Sequence, residues 1–215
     1  MRTLFTTILL LSTLTILCQT NSKNSGKWEV GVTIAPDIYF NSESFSLTEE
    51  TGFYSIEASG FNFTSGLIGE WSFNSKFDIV SGINYSRKDF SGRYYCNVCE
   101  FLTIPEREPM NVRLVEIPVF VRYNIFDKKF GVHIEAGITS GYLTNTINSS
   151  YTGTLSANKF QLSGLIGLGI NHDLSQRINL SLSSDFRQSF TNLLVGSNLK
   201  FRCVGFITGI TYKIN

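Results

Sequence analysis

The tightest chemical motif in the chain is Cys96-Asn97-Val98-Cys99, a C-x-x-C spacing that elsewhere signals zinc or thiol redox chemistry. A structural zinc site needs four ligands, but no second such pair exists and His133 and His172 fall in other segments. A redox pair gains its low thiol pKa at a helix start, and no helical period surrounds these cysteines. A disulfide closing a small turn is the expected state of Cys96 and Cys99. Nucleophilic catalysis would need a nucleophile and base side by side. No Ser-plus-acid constellation accompanies His172, so no catalytic residue is expected. No glycine-rich phosphate loop occurs either, and the chain calls for no cofactor and no metal.

Isolated charges form the second group: Glu70, Glu116, Arg122, Glu135 and Arg187, with Asp78, His133 and Asp185, part of a polar residue set otherwise rich in Gly, Ser, Thr and Asn. Acids and bases in such a pattern could make an ion path or a paired network. The elements that carry them decide between the two.

From Lys27 onward apolar and polar residues alternate in segments of about ten to sixteen, the period-two signature of strands. The alternation predicts eight strands at 27–40, 60–74, 76–90, 111–126, 129–143, 159–172, 176–190 and 200–214. In the fourth, Val115, Ile117, Val119, Val121, Tyr123 and Ile125 share one face, while Leu114, Glu116, Pro118, Phe120, Arg122 and Asn124 share the other. The first and eighth repeat it, with Trp28, Val30, Val32 and Ile34 opposing Glu29, Gly31, Thr33 and Ala35, and Val204, Phe206, Ile210, Tyr212 and Ile214 opposing Cys203, Gly205, Gly209, Thr211 and Lys213. The five named charges all fall on the polar faces. An eight-stranded barrel is just wide enough for its own side chains, and buried charges are paired, so Glu70, Glu116, Arg122, Glu135 and Arg187 are expected to plug a lumen. Pro118 cannot donate a ladder hydrogen bond and has no edge strand to occupy, so a local bulge is expected there.

Composition sets the solvent. Charged residues are 16% and aromatics 13%, with 18 Phe and 9 Tyr, against about 25% charge in soluble domains. A soluble eight-stranded barrel also alternates, but turns its apolar face inward and a charged face to water. Here the apolar faces suit lipid, and each segment exceeds the ~9–11 residues a tilted strand needs to cross a bilayer. Aromatics collect at two rims of that face, as membrane barrels require. One rim holds Trp28, Trp71, Phe73, Phe77, Tyr123, Phe130 and Tyr212; the other holds Phe40, Phe61, Phe63, Tyr85, Tyr142, Phe160 and Phe190. The net charge of +1 gives no field for nucleic acid.

Met1-Arg2-Thr3 and the apolar run from Leu4 to Leu17 have the form of a secretory signal peptide, too short for a spanning helix. The expected organisation is a signal peptide at 1–18, a short periplasmic segment at 19–26 and one barrel domain at 27–215. Cys18 is either removed with the leader or lipidated. Connections alternate between tight (Asn74-Ser75, Asp127-Lys128, Asp173-Leu174-Ser175) and long (41–59, 91–110, 144–158, 191–199). Short periplasmic turns and long external loops are the rule in such barrels, so both termini are expected in the periplasm.

The run Leu114-Val115-Glu116-Ile117-Pro118-Val119-Phe120-Val121-Arg122-Tyr123 resembles the hallmark strand of the PorT-like outer-membrane β-barrel domain family. Ile134-Glu135-Ala136-Gly137, Gly141-Tyr142-Leu143 and Gly164-Leu165-Ile166-Gly167-Leu168-Gly169-Ile170 resemble its next two strands. The resemblance implies an all-β, eight-stranded antiparallel transmembrane barrel in the bacterial outer membrane, and it supplies no catalytic residues. Porin-like and non-enzymatic, the protein is expected to be a structural or partner-binding scaffold. Its partners would be outer-membrane lipid and a protein or surface ligand met by the external loops, with the oligomeric state open. The alternatives are a lipid-modifying barrel enzyme and a soluble lipocalin-like binder.

Overall fold

The structure, a computed structural model, describes residues 26–40, 42–48, 52–58, 62–96, 106–126, 130–145, 147–149, 153–155, 157–195 and 198–214. Its strands, in chain order, are β1 (Lys27–Tyr39), β2 (Ser42–Thr48), β3 (Gly52–Ala58), β4 (Asn62–Ser72), β5 (Phe77–Cys96), β6 (Glu108–Phe126), β7 (Phe130–Leu143), β8 (Ile147–Ser149), β9 (Gly153–Leu155), β10 (Phe160–Asp173), β11 (Ile178–Ser189) and β12 (Arg202–Ile214). Eight of them, β1, β4, β5, β6, β7, β10, β11 and β12, pair antiparallel with their neighbours, and β1–β12 and β5–β6 complete the ring. This is the closed eight-stranded antiparallel barrel expected from the alternation, and closure leaves no edge within the ring.

Parity decides which face points out. In β6 the residues from Val115 to Val121 at odd positions are exposed, and the even positions from Met110 to Arg122 are buried. The outer face carries both aromatic rims at their expected heights. At the end holding the chain termini, Trp28 stacks on Trp71 at 6.2 Å, Trp71 meets Phe73 edge-on at 5.5 Å, and Phe77 lies 5.0 Å from Tyr123. At the opposite, loop end Phe40, Tyr85, Tyr142, Phe160 and Phe190 are exposed and Phe63 is half-buried. Phe61 lies outside the described residues.

Two tight turns at the terminal end are built alike. Asn74 Oδ1 accepts from the backbone N–H of Lys76 and Phe77 (2.8 and 2.9 Å), and Ser175 Oγ accepts from those of Arg177 and Ile178 (3.2 and 3.1 Å). A short polar side chain that bonds the backbone two and three residues on favours such turns. The third turn, around Asp127-Lys128, lies outside the described residues.

The structure corrects the reading of the long connections. β2 and β3 form a hairpin within 41–59, and β3 pairs with the far half of β5 from Ala58↔Phe90 to Gly52↔Cys96. β8 and β9 pair within 144–158. These strands leave no trace in the apolar alternation because they lie beyond the ring and have no lipid face to satisfy. β5 and β6 are correspondingly longer than expected, with 20 and 19 residues. At ~3.3 Å per residue and a tilt of about 40°, 20 residues reach roughly 50 Å along the axis, beyond the ~30 Å of hydrocarbon. Cys96 therefore ends a strand and does not sit in a loop.

Pro118 is accommodated without the expected bulge. The β5–β6 pairing runs through Ser81↔Val119 and resumes at Asn84↔Glu116 in the same register, so the ladder skips two pairs and never shifts. On the β7 side pairing continues through Pro118↔Thr139. A missing donor thus interrupts one ladder only. The irregularity in β6 lies instead between Asn124 and Phe126.

The largest apolar core sits inside the loop end of the barrel. Tyr39, Phe90, Val112, Leu114, Leu143, Phe201 and Cys203 turn inward near the strand ends, and Ile56, Ile147, Leu193, Leu194 and Leu199 fold over them. Phe90 stacks on Phe201 at 5.5 Å and meets Tyr39 edge-on at 5.9 Å. Apolar side chains thus close the loop end of the lumen, and its charges lie below them.

Candidate functional site in the barrel lumen

Below the cap the inward charges fall into three groups. On β6, Arg122 donates from Nη1 to Glu70 Oε2 on β4 at 2.5 Å, and its Nε lies 3.6 Å from Glu135 Oε2 on the adjoining β7. His133 faces the same carboxylate at 3.8 Å. Nearby, Asn124 Nδ2 donates to Asp78 Oδ2 at 2.6 Å. On β11, Arg187 donates from Nη2 to Asp37 of β1, and its Nε lies 2.9 Å from Asp185 Oδ2. Thr64 Oγ1 donates to Asp37 at 2.6 Å and the Gly205 N–H to Asp185 at 3.1 Å. On β5, Lys88 Nζ donates to Glu116 Oε1 at 2.5 Å and lies 4.7 Å from the centre of the Phe201 ring in the cap.

Backbone register explains these meetings. Arg122 pairs with Glu135 across β6–β7, and Asp185 pairs with Gly205, which in turn pairs with Asp37. A Cβ at Gly205 would fall inside contact distance of both Arg187 Nη2 and Asp185 Oδ1, so the glycine leaves the space that the guanidinium fork fills. Between the Arg122 and Arg187 groups, Ile68, Val80, Phe120 and Leu165 make a second apolar cluster.

All five predicted charges thus point inward and are buried, but the structure divides them. Arg122 meets both Glu70 and Glu135, while Glu116 and Arg187 belong to other groups. Glu116 pairs instead with Lys88. Asp37 and Lys88 were missed, although strand parity places both on the inner face. Their strand segments contain few other inward charges, so neither stood out by composition.

Among the described residues, two of the spaces left in the lumen exceed the smallest, which is about 10 Å³ beside Lys88, Glu116 and Phe201. One of about 50 Å³ is lined in part by Asn84, Arg122, Glu135, Asp185 and Arg187, room for a few waters at ~10–15 Å³ each. The other, about 120 Å³, opens at the terminal end among Glu29, Glu70, Asp78, Asn124, Asp173 and Lys213. Lys213 pairs there with Asp173 at 2.6 Å, and Thr211 donates to Glu29 at 2.6 Å. No group of three or more His, Cys, Asp or Glu side chains among the described residues could hold a metal ion. His172 stacks on Phe130 at 4.0 Å. Cys99 and the side chain of Cys96 lie outside the described residues, so the expected disulfide does too; Cys203 is a free thiol buried in the cap.

A closed ring with an apolar outer face, aromatic rims and charges confined to its interior defines a transmembrane β-barrel. The sequence matches the model of the outer membrane protein beta-barrel domain family over residues 18–195, and the chain belongs to that family, which places it in the bacterial outer membrane. Comparison with curated proteins returned no match. Among solved structures it is similar to OprG, an outer membrane protein of Pseudomonas aeruginosa, with 10% identity and a TM-score of 0.56 over 90% of this chain and 98% of that one. Neisserial surface protein A matches with 9% identity and a TM-score of 0.53 over 87% and 97%. The outer membrane protease OmpT of Escherichia coli matches with 9% identity and a TM-score of 0.52 over 92% and 100%. At such identities the likeness concerns the fold.

Proposed function

We propose that this protein is a non-enzymatic, non-conducting outer-membrane scaffold, related to the PorT-like barrels, that presents its loop end to a partner outside the cell. The leader at 1–18 is removed on export and both chain termini face the periplasm. The observation that carries this reading is the pair of features at the loop end: an apolar cap that fills the barrel mouth, and a four-stranded sheet of β2, β3, β5 and β6 that continues past it. A pore would leave its mouth open and polar, whereas this barrel is filled by its own side chains. A scaffold gains from strands that extend beyond the bilayer, because they hold recognition elements on rigid pairing. Lys88, Arg122 and Arg187 are each engaged with carboxylates of the lumen, His133 faces Glu135, and His172 stacks on Phe130. That arrangement favours a binding role over hydrolysis.

The test is reconstitution in planar bilayers together with crosslinking in native outer membranes. The purified barrel should give no ion-conducting steps, and replacing residues 42–58 by a short turn should leave the barrel folded while abolishing its crosslinked partner. Stable conductance, or a partner retained without the hairpin, would sink the reading.

A further inference from the structure

The cavity of about 50 Å³ inside the barrel is lined by Arg122 and Arg187 and by Glu135, Asp185 and Asn84. We infer that it binds a monovalent alkali cation, held by the carboxylates of Glu135 and Asp185 and the side-chain oxygen of Asn84. Bound there, the ion is a fixed part of the fold and not a passing solute, because the apolar cap closes the lumen at the loop end.

Charge balance is the first support. Arg122 is shared by Glu70 and Glu135, and Arg187 by Asp37 and Asp185, so two positive charges face four negative ones. The third buried cation of the lumen, Lys88, is taken by Glu116. Buried charges are paired or coordinate a metal, and a surplus of carboxylates calls for a further positive charge. Bonding is the second support. Glu135 is only 2% exposed, yet neither of its carboxylate oxygens accepts a hydrogen bond among the described residues. Its neighbours stand off, with Arg122 Nε at 3.6 Å and His133 Nε2 at 3.8 Å, beyond the ~3.2 Å reach of an N–H···O bond. Asn84 Oδ1 is likewise shielded from solvent and unbonded.

Register brings the two carboxylates to one place. On the inner face Arg122, Glu135, Gly167, Asp185, Gly205 and Asp37 are successive register partners, from β6 round to β1. Glu135 and Asp185 thus stand two strands apart, roughly 10 Å between backbones at ~4.8 Å per strand, with Gly167 between them. A Cβ at Gly167 would fall 2.9 Å from Glu135 Oε1, so the glycine opens the space into which the carboxylate leans. Thr139, Ser181 and Ser183 add hydroxyl oxygens to the lining. Such an oxygen set suits a hard cation. Calcium would want about six to eight oxygens, several of them carboxylate, and two arginines in the lining oppose a double charge. At ~10–15 Å³ per water, the volume holds one alkali ion with about two waters. Arg122 lines this cavity and its partner Glu70 lines the 120 Å³ space open at the terminal end, so that ion pair stands between the site and solvent.

The experiment is reversible urea unfolding of the full-length protein in detergent, titrated with NaCl and with KCl while choline chloride holds the ionic strength constant. A cation bound only by the folded barrel should raise the folded-to-unfolded ratio about tenfold at about ten times its dissociation constant, and at least one of the two salts should do so. Glu135→Gln should abolish the dependence, whereas Asp173→Asn, beside the open space at the terminal end, should keep it. No difference from choline chloride, or a dependence undiminished in Glu135→Gln, would overturn the inference. So would a gain lost in Asp173→Asn alone, which puts the ion in the terminal-end space. A gain obtained only by lowering the pH, with choline as the sole cation, would also overturn it, because the balancing charge would then be a proton on Glu135 or His133. Should Glu135→Gln fail to fold, wild-type crystals grown in thallium(I) acetate supply the second reading. An anomalous peak beside Glu135 and Asn84 is expected, and a cavity without that peak would reject the site.

Discussion

Glu116 shows how much a single inner residue depends on its partner. It is buried with Lys88 at 2.5 Å, both side chains less than a tenth exposed, and removing one member of a buried pair leaves the other charge uncompensated at a cost of ~3–5 kcal/mol. Glu116→Leu should therefore destabilise the barrel by about that amount, and the double variant with Lys88→Met by clearly less than the sum of the two single changes. Reversible urea unfolding in detergent measures both. A purely additive cycle would show that the pair does not hold, whereas coupling of Glu116 to Arg122 or Arg187 in a parallel cycle would contradict the grouping seen here. That grouping was out of reach of sequence reasoning because parity gives the face on which a residue lies, not its height. Lys88 reaches Glu116 across the β5–β6 seam, where Lys88 itself pairs with Val112 and Glu116 with Asn84. Only the register, four residues apart along each strand, puts the two in reach.

At the scale of the strand, facing was legible because every apolar residue on one side of β6 had lipid to satisfy. Val119 is nearly half exposed on that face and Phe120, its neighbour, is buried in the lumen cluster. An arginine near the bilayer midplane costs about 2–4 kcal/mol, so Val119→Arg should lower unfolding stability in lipid vesicles by that range. A neutral effect would reverse the facing of β6 and, through its register, of β5 and β7. What escaped the sequence were the elements for which lipid sets no pattern. β2, β3, β8 and β9 lie past the rim, where no apolar row is demanded and alternation fades into ordinary loop composition. The apolar cap escaped for a related reason: Leu114 and Phe120 were placed correctly on the inner face of β6, yet an inward apolar residue there reads as an exception until Phe90, Val112, Leu143 and Phe201 are seen at the same height. The Pro118 interruption likewise depended on a fact of pairing, since skipping two pairs without changing register is one of two ways to omit a donor.

The molecule as a whole is asymmetric along its axis. Its terminal end closes with four-residue turns, 73–76 and 174–177, tied by Asn74 and Ser175, and opens into the polar space around Glu29 and Asp78. Its loop end is capped and carries the extended sheet. Bacterial outer-membrane barrels have short periplasmic turns and longer external loops, which is the sense of the proposed orientation. Two exposed positions at opposite ends can test it: Leu174 in a terminal-end turn and Val195 in the connection after β11, both more than half exposed. With Cys96 and Cys99 replaced by serine, the remaining described thiol, Cys203, is buried in the cap and should stay unlabelled in the folded protein. Against that silent background, Val195→Cys in intact cells should react with a membrane-impermeant maleimide, and Leu174→Cys should react only after the outer membrane is permeabilised. The reverse pattern would invert the barrel, move the extended sheet into the periplasm and remove the basis for a partner outside the cell. Labelling of Cys203 without denaturant would instead mean that the cap opens, and the barrel would then have a mouth through which solutes could enter.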